Sequence, residues 1–330
     1  MNIGIVGTGM IIQNAGDAIK AQPEFSITAI VSRPHSAEKA RVLAEQFEIP
    51  KIYTNYEEFL EDSQIDVVYI GIINSEHYSY AKRAILSGKH VIVEKPFTVR
   101  LKEAKELADL ARRRQVILLE AIHFRYHPWL KAVEEGLEAI GQIKMVECSY
   151  SKISSRYQEY KKGNVLPVFD PNLGGGALHD IGVYCVHFAD AALGERYGTP
   201  EIHYEANKGF NGVDTSGVLL LKYPEALAIC VCGKDSDGAC QATVQGEAGS
   251  LMVDGFPRPE KVILRCHGQG ERVLWKPERK ETNPLYKEFE AFASLLSDGN
   301  REQAERQMEK SLRVMAVLDA AYYGERAGSM

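Results

Sequence analysis

The feature of this chain that most limits its fold is an alternation running through the first 120 residues. Short apolar runs at 2–6, 27–32, 66–72, 90–94 and 116–120 are separated by amphipathic stretches such as 36–48 and 99–114. Within 99–114, Leu101, Ala104, Leu107, Ala108 and Ala111 recur at helical spacing and predict one buried face. Strands alternating with helices predict βαβ units, hence a doubly wound parallel sheet. Near residue 121 the rhythm changes. A helix expected over 128–140 gives way to strand runs at 143–152, 201–208, 213–222, 226–233, 239–246, 249–254, 261–266 and 271–275. Short turns between most of these predict a mostly antiparallel sheet. Two helices, about 284–297 and 302–326, close the chain. With 330 residues, two domains are expected. They are an α/β domain with a parallel sheet over 1–121 and an α+β domain over 122–330.

Composition removes several classes of function. The net charge of −6 is mild, and its dispersal argues against a nucleic-acid or anionic-membrane partner. No apolar run approaches the ~20 residues of a membrane span. Met1-Asn2 leads straight into Ile3-Gly4-Ile5-Val6, so no signal peptide is expected. The six cysteines contain no C-x-x-C, which predicts reduced thiols in a cytoplasm. Cys230 and Cys232 are expected on opposite faces of a strand. His179, Asp180, Cys185 and His187 lack metal-ligand spacing, so no metal is expected.

Gly7-Thr8-Gly9-Met10-Ile11-Ile12 follows the first strand and opens a helix. Gly7 permits a tight turn, and Gly9 lets a pyrophosphate approach free N–H groups at the helix N-terminus. The third fingerprint position is Ile12 instead of Gly or Ala. Gly7, Thr8, Gly9, Met10 and Ile11 are therefore candidate dinucleotide-binding residues. The second strand ends in Ser32-Arg33, with no acid to take the ribose hydroxyls. A hydroxyl and a guanidinium suit a 2′-phosphate, which favours NADP over NAD.

The fifth strand ends in Glu94-Lys95-Pro96, at the edge of the sheet where such folds bind ligands. The ordered set of Gly7-Thr8-Gly9, Asn74-Ser75-Glu76-His77, Glu94-Lys95-Pro96 and Gly174-Gly175-Gly176-Ala177-Leu178-His179-Asp180-Ile181-Gly182-Val183-Tyr184 resembles the glucose–fructose oxidoreductase / inositol dehydrogenase family, often called Gfo/Idh/MocA. Glu120-Ala121-Ile122-His123-Phe124-Arg125 and 176–185 look most like its branch of dimeric dihydrodiol dehydrogenase and NADP-linked xylose dehydrogenase. The resemblance covers nearly the whole chain. It implies a Rossmann domain followed by a large, mostly antiparallel sheet whose outer face makes a homodimer. It also implies an NAD(P)-dependent dehydrogenase or reductase acting on a sugar, polyol or related hydroxy compound.

Carried over by position, the resemblance makes Lys95, Tyr184 and Asp180 catalytic. It places Asn74 and His77 near the nicotinamide. Glu94 and Lys95 are candidate cofactor contacts at the sheet edge, Arg125 either contacts substrate or pairs with an acid, and His179 is a candidate substrate contact. Two departures stand out. Ile72-Ile73 replaces the usual Thr-Pro, and Leu166-Pro167-Val168 replaces a frequent Trp-Arg pair. On a helix Asp180 and Tyr184 share a face. Either Tyr184 or Lys95 can carry the proton, since both free pKa values lie near ~10 and both need lowering. The glycine run is expected to let backbone approach the ligand. Glu120 is expected to brace its neighbours, while Phe124, Tyr126 and Trp129 are expected to pack. The rival readings are a dinucleotide-binding regulatory or sensor protein and a glycosidase that uses NAD transiently.

Overall fold

The computed structural model describes residues 1–279 and 281–324. They form two compact units, one of 1–126 with 282–312, the other of 127–281 with the chain from 313 onward. The single boundary expected after residue 121 is thus an excursion. The chain leaves the first unit after Tyr126 and returns at Thr282.

The first unit runs β1 (Asn2–Val6), α1 (Met10–Lys20), β2 (Ser26–Val31), α2 (Ala37–Phe47), β3 (Lys51–Tyr53), α3 (Tyr56–Glu61), β4 (Val67–Ile70), α4 (His77–Leu86), β5 (His90–Glu94), α5 (Leu101–Arg114) and β6 (Leu118–Ala121). Its six strands pair in parallel in the order β3-β2-β1-β4-β5-β6. The central strands are apolar on both sides because helices cover both faces; every residue of β4 is buried. Only β3 escaped the sequence pattern. It is a three-residue edge strand whose Ile52 is exposed, so no apolar run announces it.

The second unit contains α6 (Pro128–Gly136), β7 (Ile143–Ser151), α7 (Tyr157–Lys161), a π-helical turn Leu178–Gly182 entering α8 (Val183–Ala189), and α9 (Glu195–Tyr197). Then follow β8 (Glu201–Lys208), β9 (Asp214–Lys222), β10 (Leu227–Gly233), β11 (Gln241–Gly246), β12 (Gly249–Asp254), β13 (Lys261–Cys266) and β14 (Gly270–Trp275). The sheet order is β14-β13-β12-β11-β7-β10-β9-β8. Neighbours are antiparallel except β7 and β10, which run parallel.

Burial alternates along the central strands, giving one face to the core. On β10 this corrects the expectation for Cys230 and Cys232. Both are buried, because residues two apart on a strand share a face. Both thiols are nevertheless free.

The returning segment is α10 (Tyr286–Ser297) and the start of α11 (Arg301–Tyr323). On α10, Phe289 lies edge-on to Tyr69 at 5.5 Å, and Phe292 meets Tyr126 at 4.9 Å. Phe124 and Trp129 are buried, each in its own unit, as packing residues should be. No helix among the described residues is long and apolar enough to cross a membrane.

Candidate active site

In the first unit the parallel strands bring their following loops to one edge. Gly7 follows β1, Ser32 and Arg33 follow β2, Asn74 follows β4 and Lys95 follows β5. Gly7 has φ +113°, and a Cβ there would meet the Gly71 carbonyl at 2.4 Å, so the tight turn requires glycine. At Gly9, the N-cap of α1, a Cβ would meet only that carbonyl, at 3.8 Å. Gly9 and Met10 are exposed, and the first turn carries neither an acid nor a side-chain cap. Its N–H groups are oriented for an anion, so this edge fits a dinucleotide pyrophosphate. Ile12 at the third fingerprint position is fully buried. Gly71 makes room for it, since a Cβ there would lie 2.6 Å from Ile12 Cδ1. Arg33 is exposed, while Ser32 is buried and donates its hydroxyl to the Arg33 carbonyl at 3.2 Å.

The turn after β5 is held from beneath by buried side chains. Glu94 accepts a hydrogen bond from the Tyr69 hydroxyl at 2.8 Å and one from the Lys95 amide at 3.2 Å. Glu120 accepts from the Phe97 amide at 3.1 Å, the bracing role expected of it. His77 reaches the Pro96 carbonyl with Nδ1 at 2.9 Å and the Ile72 carbonyl with Nε2 at 3.2 Å. The shorter contact takes the N–H of the neutral ring, and burial keeps the imidazole below its usual range. His77 and Glu94 were expected at the cofactor. Both are buried, Glu94 bonded to Tyr69 and to the Lys95 amide, His77 set between the Pro96 and Ile72 carbonyls.

Sequence reasoning missed a third acid at this place. Glu288 on α10 is buried, and among the described residues neither of its oxygens has a hydrogen-bond partner. Burial pushes Glu94 up to about 7, against the pull of Lys95 and Tyr69. Burial raises Glu288 well above the carboxylate range, and repulsion from Glu94 and Glu120 adds to it.

In the second unit Asp180 lies on the π-turn and Tyr184 on α8. Their helix is therefore wider than an α-helix at Asp180, which spacing alone did not reveal. The Tyr184 ring meets Tyr150 edge-on at 5.6 Å. Asp180 Oδ2 accepts from Lys234 Nζ at 2.5 Å, and Lys234 is buried. Asp214, fully buried at the start of β9, accepts from the Leu178 amide and the Tyr204 hydroxyl, both at 2.7 Å.

Gly176 has φ +120°, and a Cβ there would stand 2.0 Å from Asp214 Oδ1. At Gly175 a Cβ would meet the Pro167 carbonyl at 2.5 Å. At Gly175 and Gly176 the room a side chain would need is thus taken by neighbouring protein atoms. His179, expected at the substrate, is also interior. It has no exposure, lies 4.6 Å from the Tyr322 ring, and burial lowers its pKa against the pull of Asp214. Arg125 is half-buried in the first unit.

Residues 1–122 match the oxidoreductase family with an NAD-binding Rossmann fold, and residues 131–252 match the GFO/IDH/MocA C-terminal domain. The chain is 30% identical to scyllo-inositol 2-dehydrogenase (NADP(+)) of Bacillus subtilis, over 97% of its own length and 96% of that protein. The chain belongs to the Gfo/Idh/MocA family. Another family member, the trans-1,2-dihydrobenzene-1,2-diol dehydrogenase of Danio rerio, is 31% identical over 76% of this chain and 73% of its own. A 3-ketoreductase from Actinomadura kijaniata, solved with NADP and TDP-benzene, superposes with a TM-score of 0.84 at 26% identity, covering 98% of this chain and 97% of that one. Membership makes this chain an oxidoreductase of nicotinamide dinucleotides with a Rossmann domain and a mostly antiparallel companion sheet.

Proposed function

We propose that this protein uses NADP to interconvert a secondary alcohol and its ketone on a sugar or polyol. The observation that carries the reading is the edge of the parallel sheet. It joins an uncapped, acid-free helix N-terminus at Gly9, an exposed Arg33 where an NAD binder has an acid, and Lys95 on a rigidly braced turn. The relatives named as an inositol dehydrogenase, a dihydrodiol dehydrogenase and a 3-ketoreductase support the reaction and substrate class.

When bound, the nicotinamide supplies the hydride acceptor or donor. The α1 amides and Gly9 would hold the pyrophosphate, and Arg33 would hold the 2′-phosphate. Asn74 lies in the loop that follows β4 and would contact the cofactor from that side. In the oxidation direction Tyr184 Oη, as phenolate, accepts the hydroxyl proton, and Lys95 Nζ supplies a polarising positive charge. In reduction the transfers reverse. Asp180 accepts a hydrogen bond from a neighbouring substrate hydroxyl and fixes which carbon faces the hydride. Arg125 is the second substrate contact.

The protein works as a soluble homodimer. The outer face of the second unit's sheet supports this, because Met145, Val218, Leu220, Ile229, Val231 and Met252 leave apolar surface uncovered there. Light scattering at micromolar concentration should give twice the chain mass. A monomer would remove the dimer from the reading.

The deciding experiment is fluorescence titration with NADPH and NADH, followed by rate measurements on a panel of inositols and aldoses. NADPH should bind more tightly than NADH. Arg33→Ala should weaken NADPH by about tenfold to a hundredfold, the worth of a charged hydrogen bond, and leave NADH unchanged. Failure to bind either dinucleotide would sink the reading.

A further inference from the structure

One buried cation in the second unit has no role in the reading so far. Lys234 follows β10 directly and is 1% exposed. Its backbone is fixed on both sides, with its amide donating to the Thr215 carbonyl and its carbonyl accepting from Ser154, each at 2.8 Å. Its ammonium meets three partners: Asp180 Oδ2 at 2.5 Å, the Val168 carbonyl at 3.1 Å, and the face of the Phe169 ring at 4.8 Å. A buried lysine is costly unless it is paired and hydrogen-bonded, and here each N–H direction is matched.

The partners are informative. Val168 belongs to the segment Leu166-Pro167-Val168, which carries no charge of its own. Its carbonyl also accepts from the Gly176 amide at 3.1 Å, at the entry to the π-turn that bears Asp180. Lys234 therefore ties the segment before the glycine run to the carboxylate after it. Asp180, by contrast, is about a third exposed, so one end of the ion pair is sealed and the other is open.

We propose that Lys234 is a positioning residue for the reaction, locking the Asp180 carboxylate in the orientation and charge state in which it grips a substrate hydroxyl. The proposal rests on the reading of Asp180 as a substrate contact. A carboxylate on a widened helical turn has two side-chain torsions to lose. The short contact to an immobile ammonium removes that freedom before substrate arrives, so less is lost on binding. The fixed positive charge also stabilises the anion when substrate displaces water from its open side.

The test is a double-mutant cycle with Lys234→Met, Asp180→Asn and the double variant. Each is followed by NADP binding, thermal unfolding, and kcat and KM on the most active alcohol of the inositol and aldose panel. Methionine keeps the length of the side chain and removes the charge. Lys234→Met should lower kcat/KM by about tenfold to a hundredfold, the scale of a displaced contact. The loss should appear mainly in KM, with NADP affinity unchanged.

In the Asp180→Asn background the lysine substitution should cost nothing more, because its effect passes through Asp180. Additive losses, an equal loss of NADP affinity, or wild-type kinetics in Lys234→Met would overturn the proposal. Should Asp180→Asn fail to fold around its stranded ammonium, the double variant decides. Lys234→Met within threefold of the double variant supports the proposal, and a tenfold advantage over it refutes it. If Asp180→Asn folds and shows wild-type kinetics, the reading of Asp180 itself is wrong, an outcome distinct from failure of Lys234 alone.

Discussion

The turn that carries Lys95 and the turn that carries Asp180 are both set on buried charge, and the two are built in opposite ways. Beneath the cationic Lys95 turn lie three acids, Glu94, Glu120 and Glu288, drawn from two strands and a returning helix. Beneath the anionic Asp180 turn lies one lysine with a partner for each N–H direction. The second arrangement is an ion pair with a buried lysine. The first keeps acids in the interior by holding a proton, with burial raising Glu94 to about 7 and lifting Glu288 well above the carboxylate range. The geometry of the Lys95 corner should therefore be sensitive to pH.

The largest effect expected falls on Lys95, proposed above as the polarising cation of the reaction. Lys95→Ala should lower kcat/KM by about a hundredfold to ten-thousandfold, the usual worth of a positioned proton-handling group. NADPH binding by fluorescence should stay within a few-fold, since the proposed reading gives the phosphates to the α1 amides and Arg33. Near-wild-type turnover in this variant would break the comparison, leaving the buried acids as a scaffold for a turn with no chemistry. The Lys234 cycle tests the other corner, with a smaller expected loss that falls on KM.

Much of this was legible in the sequence because it repeats. Among the described residues, thirteen of the fourteen strands fall on strand runs read from the sequence, and β3 does not because an edge strand of three residues needs no core face. The loop residues Gly7, Gly9, Arg33 and Lys95 were legible because a strand end fixes where the next residue goes. What stayed hidden depends on contacts distant in sequence. His77 and His179 read as polar site residues, yet one is buried against the Pro96 carbonyl and the other lies against Tyr322. Glu288 and Lys234 carry no local signal. An acid in an amphipathic helix and a lysine after a strand read as solvated, and only the fold shows them buried. The glycine run was singled out from the sequence, but the room that Asp214 and Pro167 take beside Gly176 and Gly175 could not be read from it.

The smallest effect is the pH dependence of stability, and Glu288→Gln isolates it. A carboxyl whose folded pKa lies above its unfolded value binds more protons in the native state, so stability falls as pH rises between the two values. Neutral Glu94 and Glu288 thus contribute fully below the ordinary carboxylate range near ~4.3. For Glu94 the contribution is lost as pH climbs through about 7, and for Glu288 as pH climbs through its own raised folded value. Glutamine has nearly the same shape and cannot titrate. In urea unfolding at pH 5 and pH 8, Glu288→Gln should therefore lose less stability between the two than wild type. Parallel wild-type and variant curves would mean that Glu288 does not titrate across that range, and the pH sensitivity of the Lys95 corner would then rest on Glu94 alone.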